Sequence, residues 1–302
     1  MSKITKWKNQ CSSDKVFDVV NITMMLLVML VCIYPLYYIL ILSFSDEVVG
    51  TYLLPSGFNL LGYEMVFSEP TLYIGYFNTI FYTVVGVLCS LAVTLPCAYA
   101  LSRRDFRGRG LVTAFIMVTM FISGGMVPSY LNAYNLGLLN TRTIIIMMGL
   151  TSCYNLIVAR TFFGSTLPSE LFDAAKIDGC GNARYFFNIA LPLSKPIIAV
   201  LGLNFGVSQW NSYFTEMIYL RDENKYPLSL FLRRLLWEVK SIEAMLENGD
   251  LGNTVTNAEE ILKLANVMQY CLIVVSTIPM LIVYPYLQKY FAKGVMLGSV
   301  KG

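Results

Sequence analysis

Uninterrupted apolar runs organise this chain. Six of them carry no Asp, Glu, Lys or Arg: residues 19–42, 75–101, 111–131, 143–159, 196–215 and 267–287. A helix rises about 1.5 Å per residue and bilayer hydrocarbon is about 30 Å thick, so runs of this kind read as transmembrane helices. The pattern predicts an all-α membrane protein with six spans. The first run follows a lysine-bearing segment and lacks a small-residue cleavage site before Ser43, so it reads as a retained span rather than a signal peptide.

Composition agrees with the pattern. Of 302 residues, 56% are hydrophobic and 14% charged, and the mean hydropathy is +0.60. That is more apolar surface than a soluble domain of this length can bury. Lysine and arginine placement then sets an expected orientation. With residues 1–18 in the cytoplasm, that side receives Lys3, Lys6, Lys8 and Lys15, then Arg103, Arg104, Arg107 and Arg109. It also receives Arg160, Lys176, Arg184 and Lys195, and finally Lys289, Lys293 and Lys301. These are fifteen of the 22 basic residues. The first external loop has none and the second only Arg142; the others lie in a long external loop, 216–266, of the kind the rule largely exempts. Both the amino terminus and the tail, residues 288–302, are therefore expected in the cytoplasm. The net charge of +3 is too small to suggest a nucleic-acid partner.

Candidate chemistry is sparse. The chain has no histidine, which removes the commonest general base and metal ligand. Its seven cysteines, at 11, 32, 89, 97, 153, 180 and 271, form no C-x-x-C pair, and none falls in an expected external loop. Apolar packing suits them better than disulfides or metal. No G-x-x-x-x-G-K followed by Ser or Thr occurs, so the chain holds no P-loop for ATP. "ISGGMVPS" from Ile122 lacks the polar context of an ATPase signature. Uncharged spans weigh against a proton-coupled secondary transporter or a voltage sensor, while sodium coupling through backbone carbonyls stays open. A membrane-embedded enzyme or scaffold subunit is the remaining alternative.

Between the fourth and fifth runs lies a polar connector, residues 160–195, about twice the length a turn needs. It reads as helix, turn, helix. Pro168 suits a first helical turn, Glu170 and Asp173 favour the positive end of the helix dipole, and Asp178-Gly179 stops the helix through a left-handed glycine. Asn182 is a candidate cap for the second helix, which carries Phe186, Phe187 and Ile189 and ends at Pro192. Leu171, Ala174 and Ala175 share one side of the first helix. Two readings stand: an amphipathic helix on lipid headgroups, or a docking element for a partner.

"DAAKIDGCGNARYFFNIALP", from Asp173 to Pro192, resembles the EAA motif of ATP-binding-cassette importer permeases, E-A-A-x-x-D-G, a spacer, then F-x-x-I-x-L-P. Asp173 replaces the usual Glu, keeping the charge and shortening the reach. "GGMVPSYLNAYNLGLLNT", "QWNSYFTEMIYL" and "YLQKYFAKGVMLGSVKG" are similar to the carbohydrate branch, notably its complex-oligosaccharide and polysaccharide-fragment permeases. The resemblance implies a type I ABC importer permease in a prokaryotic plasma membrane, importing carbohydrate by alternating access. Implied partners are a second homologous permease, two ATPase subunits that bind ATP and Mg, an extracellular solute-binding protein and membrane lipid; this chain would need no cofactor. Asp173, Ala174, Ala175, Asp178, Gly179, Phe186 and Pro192 would form the coupling helix that docks on an ATPase. Lys293 and Lys301 in the tail would reach the ATPase pair.

Uncharged polar residues recur in the fifth run. Asn204, Ser208 and Asn211 fall at i, i+4 and i+7, with Trp210, Tyr213 and Phe214 beside them. They read either as a path for a hydroxyl-rich solute or as interhelical hydrogen bonds and interfacial aromatics. Thr151 and Asn155 form a shorter pair, with helix packing the simpler reading. In the external loop, "FLRRLLWEV" is expected to form a short amphipathic helix.

Overall fold

A computed structural model describes residues 12–45, 57–247 and 255–298. All regular structure among these residues is helical. The helices are α1 Ser12–Leu42, α2 Leu61–Ser68, α3 Pro70–Ser102, α4 Arg109–Phe121, α5 Met126–Asn135, α6 Arg142–Met148, α7 Cys153–Thr166 and α8 Ser169–Ile177. After these come α9 Asn182–Leu193, then α10 Lys195–Trp210, α11 Phe214–Tyr219, α12 Leu228–Glu247 and α13 Val255–Gly298. They divide into two units, one within residues 1–68 and 236–275, the other within 69–235 and 276–302.

Three stretches are long and apolar enough to cross a bilayer unaided: Ser13–Leu42, Pro70–Ser102 and Ala265–Pro285. The other three apolar runs are broken. Run 111–131 becomes α4 and α5, which meet at 112°, because Gly125 takes a φ of +82° just after the first helix ends. Run 143–159 becomes α6 and α7, bent by 54°, and α9 meets α10 at 80°. Run 196–215 is helical only to Trp210. Much of the expected loop 216–266 is helix, since α12 carries the amphipathic segment through to Glu247 and α13 starts at Val255. Residues 248–254 lie outside the described set.

In the first unit, Gly62 lets α2 approach α13. A Cβ there would lie 2.7 Å from Cys271 Sγ and 2.8 Å from Val267. Ser43 shares a 2.8 Å hydrogen bond with Tyr63, and its carbonyl accepts from the Cys271 thiol at 3.2 Å.

The second unit is built on α3, which carries a core cluster at each end. Towards the connector, Leu95, Ala98 and Tyr99 pack with Ala159 and Phe163 of α7, Phe172 and Ala175 of α8, Tyr185, Phe186 and Ala190 of α9, and Ile197, Leu201 and Phe205 of α10. At the other end, Tyr82 packs with Ala133, Ile144, Ile145, Tyr219 and Leu220. A polar network ties this second end together. Arg142 donates to Asn78 Oδ1 at 2.9 Å, and Asn78 Nδ2 donates to the carbonyls of Asn224 and Tyr226 at 2.8 and 3.1 Å. Asn140, at φ +57°, accepts from the backbone N–H groups of Arg221 and Asp222. Buried polar groups need such partners, so Asn78 fixes Arg142 and the 224–226 turn to α3 while Asn140 holds the backbone at 221–222.

Candidate coupling site and the broken fourth span

The first half of the connector folds as its turn residues dictate. Pro168 sits at the N-cap of α8, Glu170 in its first turn and Lys176 in its last, each charge complementing the helix dipole. Asp178 is the C-cap, and Gly179 follows at φ +75°. The Gly179 N–H donates to the Lys176 carbonyl at 3.1 Å and the Cys180 N–H to that of Ala175 at 2.9 Å, which is the bond pair of a Schellman motif. Asn182 is not the cap of the second helix; Gly181 is, with no side-chain capping bond. Nor does Pro192 end that helix. It is the second residue of the last helical turn, Leu191–Leu193, and a π turn over Phe186–Ala190 precedes it. A wide turn there relieves the clash a proline ring makes with the carbonyl four residues back.

Which faces are free decides what the connector can touch. Phe172, Ala175 and Phe186 are buried at 7%, 8% and 6% exposure. Phe186 lies against Tyr99, ring centres 5.1 Å apart. Phe186 and Ala175, expected on the docking surface, belong instead to the core that holds α8 in place. Asp173, Ala174, Lys176, Asp178, Gly179 and Pro192 are exposed. Beside them is a residue the sequence reading passed over. Ile177, in the last turn of α8, is 87% exposed, although an isoleucine is normally among the most buried residue types. Its place immediately before Asp-Gly was the available signal.

Behind this face lies a cavity of about 310 Å³ lined by residues that include Tyr99, Arg103, Arg104, Asp173 and Lys176. The Arg103 guanidinium stands 3.3 Å above the Phe172 ring centre and makes two bonds to the Asp105 carboxylate, at 3.0 and 3.1 Å. Those bonds hold the Asp105 carboxyl below its usual range. Lys293 is in α13, and Lys301 lies outside the described residues.

The expected polar stripe on the fifth span divides. Asn204 Nδ2 donates to Asn155 Oδ1 of α7 at 3.2 Å, an interhelical packing bond. Asn211 is the C-cap of α10, and its Nδ2 turns back to the Val207 carbonyl at 2.9 Å. Ser208 is exposed, and Trp210 and Tyr213 are half-buried. Arg233 covers the Tyr213 ring, 4.9 Å from its centre. A buried residue between them escaped the stripe: Gln209, 8% exposed, which lies against Gly149 at the break between α6 and α7. Thr151 and Ser152, in that break, line a cavity of about 250 Å³ with Thr94 and Thr119.

Comparison with known proteins identifies the family. Residues 71–222 match the binding-protein-dependent transport system inner membrane component family, half of the chain. The chain is 37% identical to the polygalacturonan/rhamnogalacturonan transport system permease protein YtcP of Bacillus subtilis, covering 96% of this chain and 99% of that one. The chain belongs to this family. It is also 40% identical to protein LplC of Bacillus subtilis, covering 96% of each. Among solved structures, it is similar to a bacterial ABC transporter involved in the import of the acidic polysaccharide alginate, with a TM-score of 0.80 and 34% identity over 93% of this chain and 99% of that one.

As a binding-protein-dependent permease, the protein is a multi-pass inner-membrane component with the type I importer fold. The family segment starts in α3 and ends past α11, so it contains the connector and the broken fourth span. α1, α2 and the helices from α12 onward lie outside it.

Proposed function

We propose that this protein is one permease subunit of an ATP-driven importer for oligosaccharides or polysaccharide fragments, working by alternating access. It pairs with a second permease, two ATPase subunits and an external solute-binding protein, with both of its termini and the 160–195 connector on the cytoplasmic side. The single observation that carries the reading is the free face of α8. Ile177, almost fully exposed, stands beside Asp173 and Asp178 on a helix whose other face is locked into the core through Phe172 and Ala175. An apolar knob with carboxylates around it is a docking surface, and a helix so anchored transmits a push to α3 and α10 rather than yielding to it. The names of the relatives, which include a polygalacturonan/rhamnogalacturonan permease and an alginate importer, support a carbohydrate cargo.

ATP and Mg bind the partner ATPases in this reading. Closure of the ATPase pair moves the connector, and the broken spans re-pack to expose the path to one side and then the other. The test is reconstitution of the full assembly in proteoliposomes, with uptake assayed for neutral and uronate oligosaccharides that bind the cognate binding protein. Uptake that needs ATP, Mg and the binding protein is expected. Uptake driven by a sodium or proton gradient without ATP would assign the protein to the secondary transporters.

A further inference from the structure

The fourth span is broken where the fifth presses a carboxamide into it. α6 is capped by Gly149 and α7 starts at Cys153. A Cβ on Gly149 would lie 2.2 Å from Gln209 Nε2, and one on Gly86 of α3 would lie 2.7 Å from the same atom. No side chain fits at either glycine while Gln209 holds this position. The carboxamide is thus clasped between two helices, and Ser90 Oγ fixes the nearby Gly149 carbonyl by a 3.2 Å bond. One turn and a half back along α10, Asn204 bonds Asn155 on the far side of the break. α10 therefore meets the fourth span on both sides of its break, each time through an amide.

Only one of the two amides is satisfied. Gln209 Nε2 is buried and, among the described residues, has no hydrogen-bond partner. An unspent buried donor is costly, and a methionine of similar length would fill the same space without that cost. Backbone groups freed at a helix break in a membrane are satisfied by neighbouring side chains. We propose that Gln209 is a two-position latch on the fourth span. In this state it is a wedge between Gly86 and Gly149; in the other state of the transport cycle its Nε2 donates to a carbonyl of the segment 149–152. The proposal rests on the alternating-access reading. It separates two properties of one residue, its volume and its N–H.

The experiment uses the full transporter in proteoliposomes. Gln209→Met keeps the wedge and removes the donor. We expect this variant to insert, retain its ATPase and melt no lower than wild type. Its maximal uptake rate should fall about tenfold, the scale of one buried hydrogen bond, with half-saturation by sugar unchanged. With Cys153 as the sole cysteine, maleimide labelling in the wild-type background should change between the nucleotide-free and vanadate-trapped states. In Gln209→Met it should stay at its nucleotide-free rate. Gly149→Ala should lose uptake, and adding Gln209→Asn, whose shorter side chain clears the new methyl, should recover part of it. If Gly149→Ala fails to fold, Gln209→Met decides alone. Wild-type uptake by Gln209→Met, or labelling of Cys153 that never responds to nucleotide in the wild type, overturns the latch. Absence of ATP-dependent uptake in the wild type itself overturns the ATP-driven importer reading instead.

Discussion

Arg103 and Phe172 are in direct contact: the guanidinium carbon stands 3.3 Å from the ring centre, although one residue follows the last turn of α3 and the other lies on the inner face of α8. With Asp105 gripping the same guanidinium, the end of the longest helix in the second unit is clamped to the helix expected to receive the ATPase. A cation over an aromatic face contributes about 0.5 to 2 kcal/mol. Arg103→Ala should therefore leave ATPase binding within about threefold of wild type and lower sugar uptake per ATP hydrolysed. Simultaneous measurement of phosphate release and uptake checks it; an unchanged ratio would show that this clamp carries no force.

Asp173 and Ile177 should act at the docking surface without supporting the fold, since both side chains are exposed. Asp173→Ala and Ile177→Ser are each expected to leave membrane insertion and melting temperature unchanged while weakening recovery of the ATPase in a pull-down. For Asp173, truncating one side of a partly desolvated charge pair costs about 2 to 5 kcal/mol. Asp173→Glu should be tolerated. Recovery at wild-type level in both the Ala and the Ser variant would favour a helix resting on lipid.

Gly179 has no neighbour within 4 Å of the place a Cβ would take, so a substitution there meets no clash. Its cost is conformational, because φ is +75°. Gly179→Val should lose about 1 to 2 kcal/mol locally and open the Schellman turn, with uptake falling more than protein abundance. Gly179→Asn, which accepts the left-handed region more readily, should retain most of the uptake.

Glu216, just past the end of α10, is buried with 1% exposure, and its carboxylate accepts from Ser212 Oγ at 2.9 Å. Burial raises its pKa above the ordinary 4.5. A carboxyl whose folded pKa is raised stabilises the protein while protonated, and that contribution fades as pH climbs from the unfolded value through the folded one. Glu216→Gln should therefore gain melting temperature over wild type at pH 8 and lose most of that advantage at pH 4, below the ordinary carboxyl value. Equal differences at both values would show that Glu216 does not titrate in the fold.

The connector was legible because its geometry is local. Gly after Asp at the end of a short amphipathic helix specifies a left-handed terminus, and Gly179 adopts it. Which residues faced outward was not legible to the same depth. Phe186 reads as a surface residue of the motif, yet the π turn from Phe186 to Ala190 inserts an extra residue per turn and rotates the faces that a regular helical period assigns. The third apolar run shows the same limit: hydropathy summed over 111–131 satisfies the length of a span, but a sum does not register the turn at Gly125 that splits it.

The sequence by itself determined that this is a helical membrane protein with six apolar runs and a polar connector between the fourth and fifth, because hydrophobic length and turn chemistry act on neighbouring residues. The tertiary structure alone decided which of the polar residues do something together. Asn204 and Asn211 looked equivalent along the fifth span, and Gln209 fell off their shared face. In the fold Asn204 pairs with Asn155, Asn211 caps its own helix, and Gln209 meets Gly86 and Gly149. The partners of Asn204 and Gln209 lie 49 and more residues away, and a periodicity read along one helix carries no information about what a second and third helix bring against it.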